Sequence, residues 1–123
     1  MNFIVTKFGG SSLADSIHFK KVKNIIESNC DRRYVIPSAP GKRFSKDFKV
    51  TDLLYLCHAH VNSSIPLDDV FKLICERYHS IVNELDLSLD LDYYLNIIKN
   101  DIENGASADY CKERRISKWN NPC

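Results

Sequence analysis

The sequence has almost no excess of either charge, and it has no long apolar run. Its 17 lysine and arginine residues are balanced by 16 aspartate and glutamate residues, which gives a formal net charge of +1. A nucleic acid or a membrane surface would call for a basic surplus, so neither kind of partner is predicted. The longest apolar runs are far too short to cross a bilayer, and no charged-then-apolar secretion signal opens the chain.

The cysteines show no pattern typical of a disulfide framework. There are five, an odd number, and their spacing is irregular. Together with the missing secretion signal, this predicts reduced thiols and a cytoplasmic protein. Cys57 with His60, and Cys75 with His79, have spacings that could place each pair on one helix face and hold zinc. Core cysteines beside histidines at helix edges are far commoner, so no metal site is predicted.

What the sequence does contain, at its start, is a strand, a glycine turn and a helix in immediate succession. Apolar residues predict a strand over 2–6 and, at helical spacing, a helix over 13–29. The turn between them, residues 7–12, reads Lys-Phe-Gly-Gly-Ser-Ser. Two glycines and a helix N-terminus let backbone N–H groups approach an anion, and the ammonium group of Lys7 can reach the same anion.

The same turn has a purely structural interpretation. Glycines allow a tight turn, Ser12 can cap the helix, and Asp15 can complete the capping box. On the local pattern alone, this interpretation and phosphate binding have equal weight.

A second strand is predicted after the first helix. Residues 29–33 form a polar turn, and residues 34–36 are a short apolar run, so the chain starts as a βαβ unit. The two strands of such a unit are parallel, and their C-terminal ends meet at the edge where open α/β sheets bind ligands. Lys7 and Ser38 are therefore predicted to be neighbours.

The middle of the chain predicts a loop and three helices. Residues 37–49 contain two prolines, one glycine and four basic side chains, which is typical of a solvated loop. Apolar positions at helical spacing predict helices over 51–63, 66–86 and 90–104, the last of them ended by Gly105. The predicted fold class is α/β, with a βαβ start followed by helices.

Two stretches of the sequence resemble the aspartate kinases of the amino acid kinase family. One is the strand and the Lys-Phe-Gly-Gly-Ser-Ser turn at 7–12. The other is the pair Ser38-Ala39 and Thr51-Asp52-Leu53-Leu54, joined by a Pro-Gly-Lys loop. The resemblance covers residues 1–110 and implies the N-terminal portion of the family's three-layer αβα sandwich.

The resemblance also implies an activity and a set of site residues. Aspartate kinases transfer the γ-phosphoryl group of ATP, with Mg²⁺, to the side-chain carboxylate of L-aspartate, the first step towards lysine, threonine and methionine. It implies that Lys7 is catalytic and that Ser38 and Thr51 bind aspartate. The residues implied to bind the nucleotide phosphates are those of the strand end and the turn: Lys7, Phe8, Gly9, Gly10 and Ser11.

The resemblance fails after Tyr110. Aspartate kinases continue there with Ser-Arg-Gly-Glu-Tyr-Leu, whereas this chain continues with the divergent residues 111–123. One permitted set of codons for this tail, read from its second base, encodes Val-Lys-Arg-Gly-Glu-Tyr-Leu and restores the family's pattern. The tail is therefore predicted to be frameshifted. The chain would then lack the family's substrate glutamate, catalytic aspartate and adenine pocket, and is expected to be inactive alone.

Two other interpretations stay open. The chain can be a non-catalytic remnant that at most binds an anion or another subunit, and that self-associates through an exposed sheet edge because two parallel strands need more cover. It can also be an amino acid kinase with a different acceptor. The paired serines after Gly-Gly and the Thr-Asp-Leu-Leu stretch argue against the second of these.

Overall fold

The computed structural model describes residues 2–105 and 119–120. The elements, in chain order, are β1 (Ile4–Phe8), α1 (Ser16–Glu27), β2 (Arg32–Pro37), α2 (Val50–Asn62), α3 (Asp68–Glu84), α4 (Leu91–Glu103) and β3 (Trp119–Asn120), with a short 3₁₀ helix at Gly10–Leu13. The predicted strands and helices are all present, with bounds shifted by a few residues, so the α/β class is confirmed. The described residues form two compact units, divided between Lys49 and Val50, with β3 in the first.

The first unit is a small sheet with a helix on one face. β1 and β2 run parallel, and α1 crosses over between them. The helix and the sheet enclose a core of apolar side chains: Phe8, Leu13, Val22, Ile26 and Val35, with Phe19 partly buried against them. The opposite face of the sheet is open, since Phe3, Val5 and Tyr34 are 57%, 62% and 49% exposed.

A third strand, which the sequence did not predict, pairs with β2. In β3, Trp119 lies opposite Val35 and Asn120 opposite Tyr34, antiparallel to β2. The expectation of a two-stranded sheet was therefore wrong. A strand of two residues is too short to show an alternating pattern. Its pairing is decided by the side of β2 that β1 leaves free. The rest of the predicted frameshifted tail, 111–118 and 121–123, lies outside the described residues.

The second unit consists of three helices that bury their apolar faces. The apolar spacing that predicted α3 corresponds to a buried face of this helix, which contains Val70, Phe71, Ile74 and Ile81. On α4, Leu95 and Ile102 are buried, whereas Tyr94 is exposed. Gly105, at φ 87°, follows the end of α4 as predicted. No helix among the described residues is both long enough and apolar enough to cross a membrane.

Candidate functional site

The C-terminal ends of β1 and β2 meet at one edge of the sheet. Lys7 lies opposite Ile36, and Phe8 lies opposite Pro37. One residue further, the backbone N–H of Ser38 donates to the carbonyl oxygen of Phe8 at 3.0 Å. The backbone pairing thus confirms that Lys7 and Ser38 are neighbours. Lys7 is exposed and Ser38 is half-buried, so both can be reached from solvent.

The glycine turn follows directly on this strand end. Gly9 has an extended backbone, and the 3₁₀ helix starts at Gly10 with no side chain capping it. The N–H of Ser12 donates to the carbonyl oxygen of Gly9 at 3.1 Å. A Cβ atom added to Gly9 would meet no atom within 4 Å. The turn therefore leaves open space at Gly9, beside the first N–H groups of a helix, which have no intrahelical acceptor.

The α-helix predicted to begin at residue 13 begins at Ser16. Its N-cap is Asp15, whose carboxylate accepts the backbone N–H of His18 at 2.9 Å and lies 2.6 Å from the Nδ1 atom of His18. The backbone and side-chain hydrogen bonds from His18 hold the pKa of Asp15 below its usual value. Ser12 as N-cap was a wrong prediction, because the extended Asp15 separates the 3₁₀ helix from α1. The positive end of the α1 dipole lies at Asp15, not at the glycines.

Gly10 and Gly41 hold two loops in direct backbone contact. The N–H of Gly41 donates to the carbonyl oxygen of Gly10 at 2.8 Å. A Cβ atom on Gly41 would lie 2.6 Å from the carbonyl carbon of Gly10 and 2.9 Å from the nitrogen of Ser11. Only glycine fits at Gly41 without moving one of the loops. The loop after Ser38 is therefore packed against the glycine turn, which the sequence analysis did not predict.

The loop at 37–49 is not merely a solvated connection. Lys42, Lys46 and Lys49 are exposed, but the side chain of Asp47 is only 5% exposed and lies 2.7 Å from the Nε atom of Arg43. Hydrogen bonds to Asp47, more than its charge, raise the pKa of Arg43. Sequence reasoning missed this pair because charges four residues apart carry no signal outside a helix.

Thr51 belongs to the second unit. It lies in the first turn of α2 and is half-buried, one residue after the buried Val50. Ser38 lies in the first unit. The prediction that Thr51 lies near the start of this helix is confirmed; its role is a separate question.

His60 and His79, whose spacing from a cysteine could suit zinc, each contact an oxygen atom of another residue. The Nδ1 atom of His60 lies 3.1 Å from the carbonyl oxygen of Pro66, and the Nε2 atom of His79 lies 2.8 Å from Asp92. Burial raises the pKa of the Cys75 thiol, and so does the nearby charge of Asp92. Within the described part of the chain, no group of three or more His, Cys, Asp or Glu side chains could hold a metal ion.

Comparisons with curated proteins and with solved structures give significant matches, while no family model matches the chain. The chain is 43% identical to aspartokinase 3 of Bacillus subtilis (strain 168) over 83 residues, which is 68% of the chain and 18% of that protein. It is similar in structure to the aspartate kinase of Clostridium acetobutylicum, with a TM-score of 0.90 and 63% sequence identity. That match covers 94% of this chain and 27% of the other.

The chain has part of the αβα sandwich of the amino acid kinase fold, and the structural match that supports this covers 94% of the chain. Within that fold, the relatives are aspartate kinases, and the resemblance seen in the motifs is confirmed: the chain corresponds to an N-terminal part of an aspartate kinase. It spans well under two thirds of the length of either relative.

Proposed function

We propose that this chain carries the phosphate-binding edge of an aspartate kinase site, for ATP-dependent phosphorylation of the side-chain carboxylate of L-aspartate. The observation that carries the proposal is the hydrogen bond from Ser38 to Phe8, which brings the Lys7 strand end and Ser38 together. By resemblance to the family, the nucleotide phosphates contact the strand end and turn: Lys7, Phe8, Gly9, Gly10 and Ser11. Ser38 and Thr51 contact aspartate. We also propose a cytoplasmic location.

In this proposal, the positive charge of Lys7 offsets negative charge on the phosphate oxygens. Phosphoryl transfer needs positioned groups that offset the negative charge which develops on the phosphate oxygens. An exposed ammonium group at a strand end, beside open space at Gly9, can do this. The hydroxyl groups of Ser38 and Thr51 can donate to a carboxylate. Among the described residues, no cluster of His, Cys, Asp or Glu side chains offers ligands for Mg²⁺.

The first test measures ATP binding by this chain with and without Lys7. We expect Lys7→Ala to weaken ATP binding by about tenfold or more, the effect of one charge-assisted hydrogen bond. Lys21→Ala, which removes an exposed lysine of α1, is the matched control and should have little effect. Isothermal titration calorimetry measures both. Equal losses of ATP affinity in the two variants would mean that ATP binding depends only on the overall charge of the chain.

Catalysis is a separate question from binding. Phosphoryl transfer needs groups placed on several sides of the phosphate, and the chain spans 27% of the related enzyme structure. We therefore expect no aspartyl phosphate above background when this chain is assayed with hydroxylamine, ATP and aspartate. Turnover would contradict that expectation and would favour a complete site. ATP binding without turnover distinguishes a phosphate-binding remnant from an enzyme.

The tail and Thr51 need their own tests. We infer that residues 111–123 are frameshifted; DNA sequencing from codon 108 onward should then find an open frame in the shifted phase, and stop codons in that phase would refute the inference. In the protein with its frame restored, Thr51→Val should mainly raise the KM for aspartate, by about fivefold for one lost hydrogen bond of about 1 kcal/mol. A fall in kcat with unchanged KM would instead place Thr51 at the transferring phosphoryl group.

A further inference from the structure

The loop after Ser38 is closed by a contact that the family resemblance did not point to. The buried carboxylate of Asp47 accepts three hydrogen bonds from Arg43: from the backbone N–H at 2.9 Å, from the Nε atom at 2.7 Å and from an Nη atom at 2.9 Å. We call this contact the Arg43–Asp47 clasp. The backbone N–H of Asp47 also donates to the carbonyl oxygen of Phe44 at 3.1 Å, so the loop closes on itself from both sides.

The geometry of the clasp suits positioning better than stabilisation. A guanidinium group that makes two parallel bonds to one carboxylate fixes its partner in orientation as well as in distance. Taking a carboxylate out of water has a desolvation penalty that the ion pair only partly offsets, so such pairs are weak evidence for stability. What the clasp does is to hold residues 43–47 in one conformation.

The element that this conformation positions is Gly41. It lies two residues before Arg43, and its N–H donates to the carbonyl oxygen of Gly10, the first residue of the 3₁₀ helix. The would-be Cβ of Gly10 lies 3.1 Å from the carbonyl oxygen of Ala39, so the two loops are already in close contact. A shift of the loop backbone at Gly41 would therefore move the backbone at Gly10 and Ser11.

We propose that Arg43 and Asp47 are positioning residues of the phosphate site: the clasp holds Gly41 against Gly10 and thereby sets the N–H groups of Gly10 and Ser11 for a polyphosphate. The inference rests on the proposed function of the glycine turn. It assigns no direct phosphate contact to either residue of the clasp, and Arg43 acts through Asp47 and Gly41.

Asp47→Asn separates positioning from simple electrostatics, because the two predict opposite signs. The substitution removes a negative charge next to an anion site, so electrostatics alone would tighten the binding of a polyphosphate. It also removes the charge-assisted bonds that close the clasp, so positioning predicts weaker binding. Inorganic tripolyphosphate is the probe, since it needs neither an adenine pocket nor catalysis.

Two measurements on the 123-residue chain test the proposal. We expect Asp47→Asn to raise the Kd for tripolyphosphate by about tenfold, and to speed hydrogen exchange of the Gly41 amide by about the same factor, as for the loss of one buried hydrogen bond. The Ile26 amide, in the core of α1, should exchange as before. Asp69→Asn, an exposed carboxylate of α3, is the matched control for charge and should leave the Gly41 amide unchanged.

Each alternative outcome is informative. Tighter or unchanged tripolyphosphate binding in Asp47→Asn, or an unchanged Gly41 exchange rate, would overturn the proposal. If Ile26 exchanges faster too, the whole fold is destabilised. Arg43→Lys is then used instead, because lysine keeps the charge but cannot make both bonds; wild-type binding by Arg43→Lys would overturn the proposal. If the wild-type chain does not bind tripolyphosphate, the proposed function fails and this inference fails with it, whereas the exchange rate of Gly41 still decides whether the clasp holds that residue.

Discussion

Gly41→Ala is the substitution that tests the contact between the two loops most directly. The added Cβ atom would lie 2.6 Å from the carbonyl carbon and 2.8 Å from the carbonyl oxygen of Gly10. Both are backbone atoms, which cannot rotate away as the end of a flexible side chain can. The loops must therefore separate, and the hydrogen bond of 2.8 Å from Gly41 to Gly10 is lost with them.

The size of the effect follows from three terms. Overpacking in a well-packed site costs about 1–3 kcal/mol, and the lost hydrogen bond adds about 1 kcal/mol. In the opposite direction, replacing glycine by alanine restricts the unfolded chain and so raises the free energy of unfolding by about 0.4–1 kcal/mol. We expect a net fall of about 1–3 kcal/mol in the free energy of unfolding, from the overpacking term with the other two nearly cancelling.

Urea denaturation measures this, with Gly9→Ala as the matched control. A Cβ atom on Gly9 would meet nothing within 4 Å, and the backbone of Gly9, at φ −73° and ψ 169°, is open to alanine. Gly9→Ala should thus keep full stability yet weaken ATP binding, because its methyl group fills the space proposed for phosphate. Equal urea midpoints for the two variants would refute the close contact between Gly41 and Gly10.

Two further predictions concern pH. Burial raises the pKa of Tyr78 to about 12. The neutral phenol therefore contributes stability that is complete below pH ~10 and is lost as the pH rises towards about 12. Over that pH range the free energy of unfolding should fall by about 2–3 kcal/mol less in Tyr78→Phe than in the wild type, as measured by urea denaturation at each pH. Asp15→Ala should cost about 1 kcal/mol at neutral pH through the lost cap. Since the folded pKa of Asp15 lies below its unfolded value, this difference should persist above pH ~4 and disappear as the pH falls through the lower, folded pKa.

Periodicity predicted the elements of this chain well and its connections poorly. The spacing of apolar residues predicted the strands and helices. The parallel pairing of β1 with β2 followed from the rule that a strand, a crossover helix and a second strand form a βαβ unit. The glycine turn was placed correctly, but Leu13 and Ile17 suggested one continuous helix. In the structure Leu13 belongs to the 3₁₀ helix and is buried, whereas Ile17 belongs to α1 and is 62% exposed. The extended backbone of Asp15 interrupts the spacing, and no pattern of apolar residues records such a break.

The contacts that build the candidate site were harder to predict, because they are backbone contacts between distant loops. Nothing in the residues around Gly41 says that their partner is Gly10, thirty-one positions earlier in the numbering. Likewise, Arg43 and Asp47 look like two more charges in a basic loop until the burial of Asp47 is known. Lys7 and Ser38 could be paired in advance only because both lie at the C-terminal ends of parallel strands.

The open face of the sheet carries the final prediction, which is self-association. Phe3, Val5 and Tyr34 lie on the face opposite α1, and the rings of Phe3 and Tyr34 are 6.2 Å apart. The sequence predicted association through the exposed edge of the sheet, and β1 does form one edge of the described sheet. The structure adds an apolar face beside that edge, and contiguous exposed apolar surface favours association.

Val5→Lys tests whether self-association occurs through this face or through non-specific apolar contacts. Val5 and Ile17 are both 62% exposed, but Val5 lies on the open sheet face and Ile17 on α1. If the sheet face drives association, Val5→Lys should weaken self-association in sedimentation velocity by about tenfold, the effect of about 1.4 kcal/mol of lost apolar burial. Ile17→Lys adds the same charge and should leave the sedimentation profile unchanged. If both variants weaken association equally, net charge explains it and the sheet face has no special role; if neither does, the edge of β1 is the better candidate.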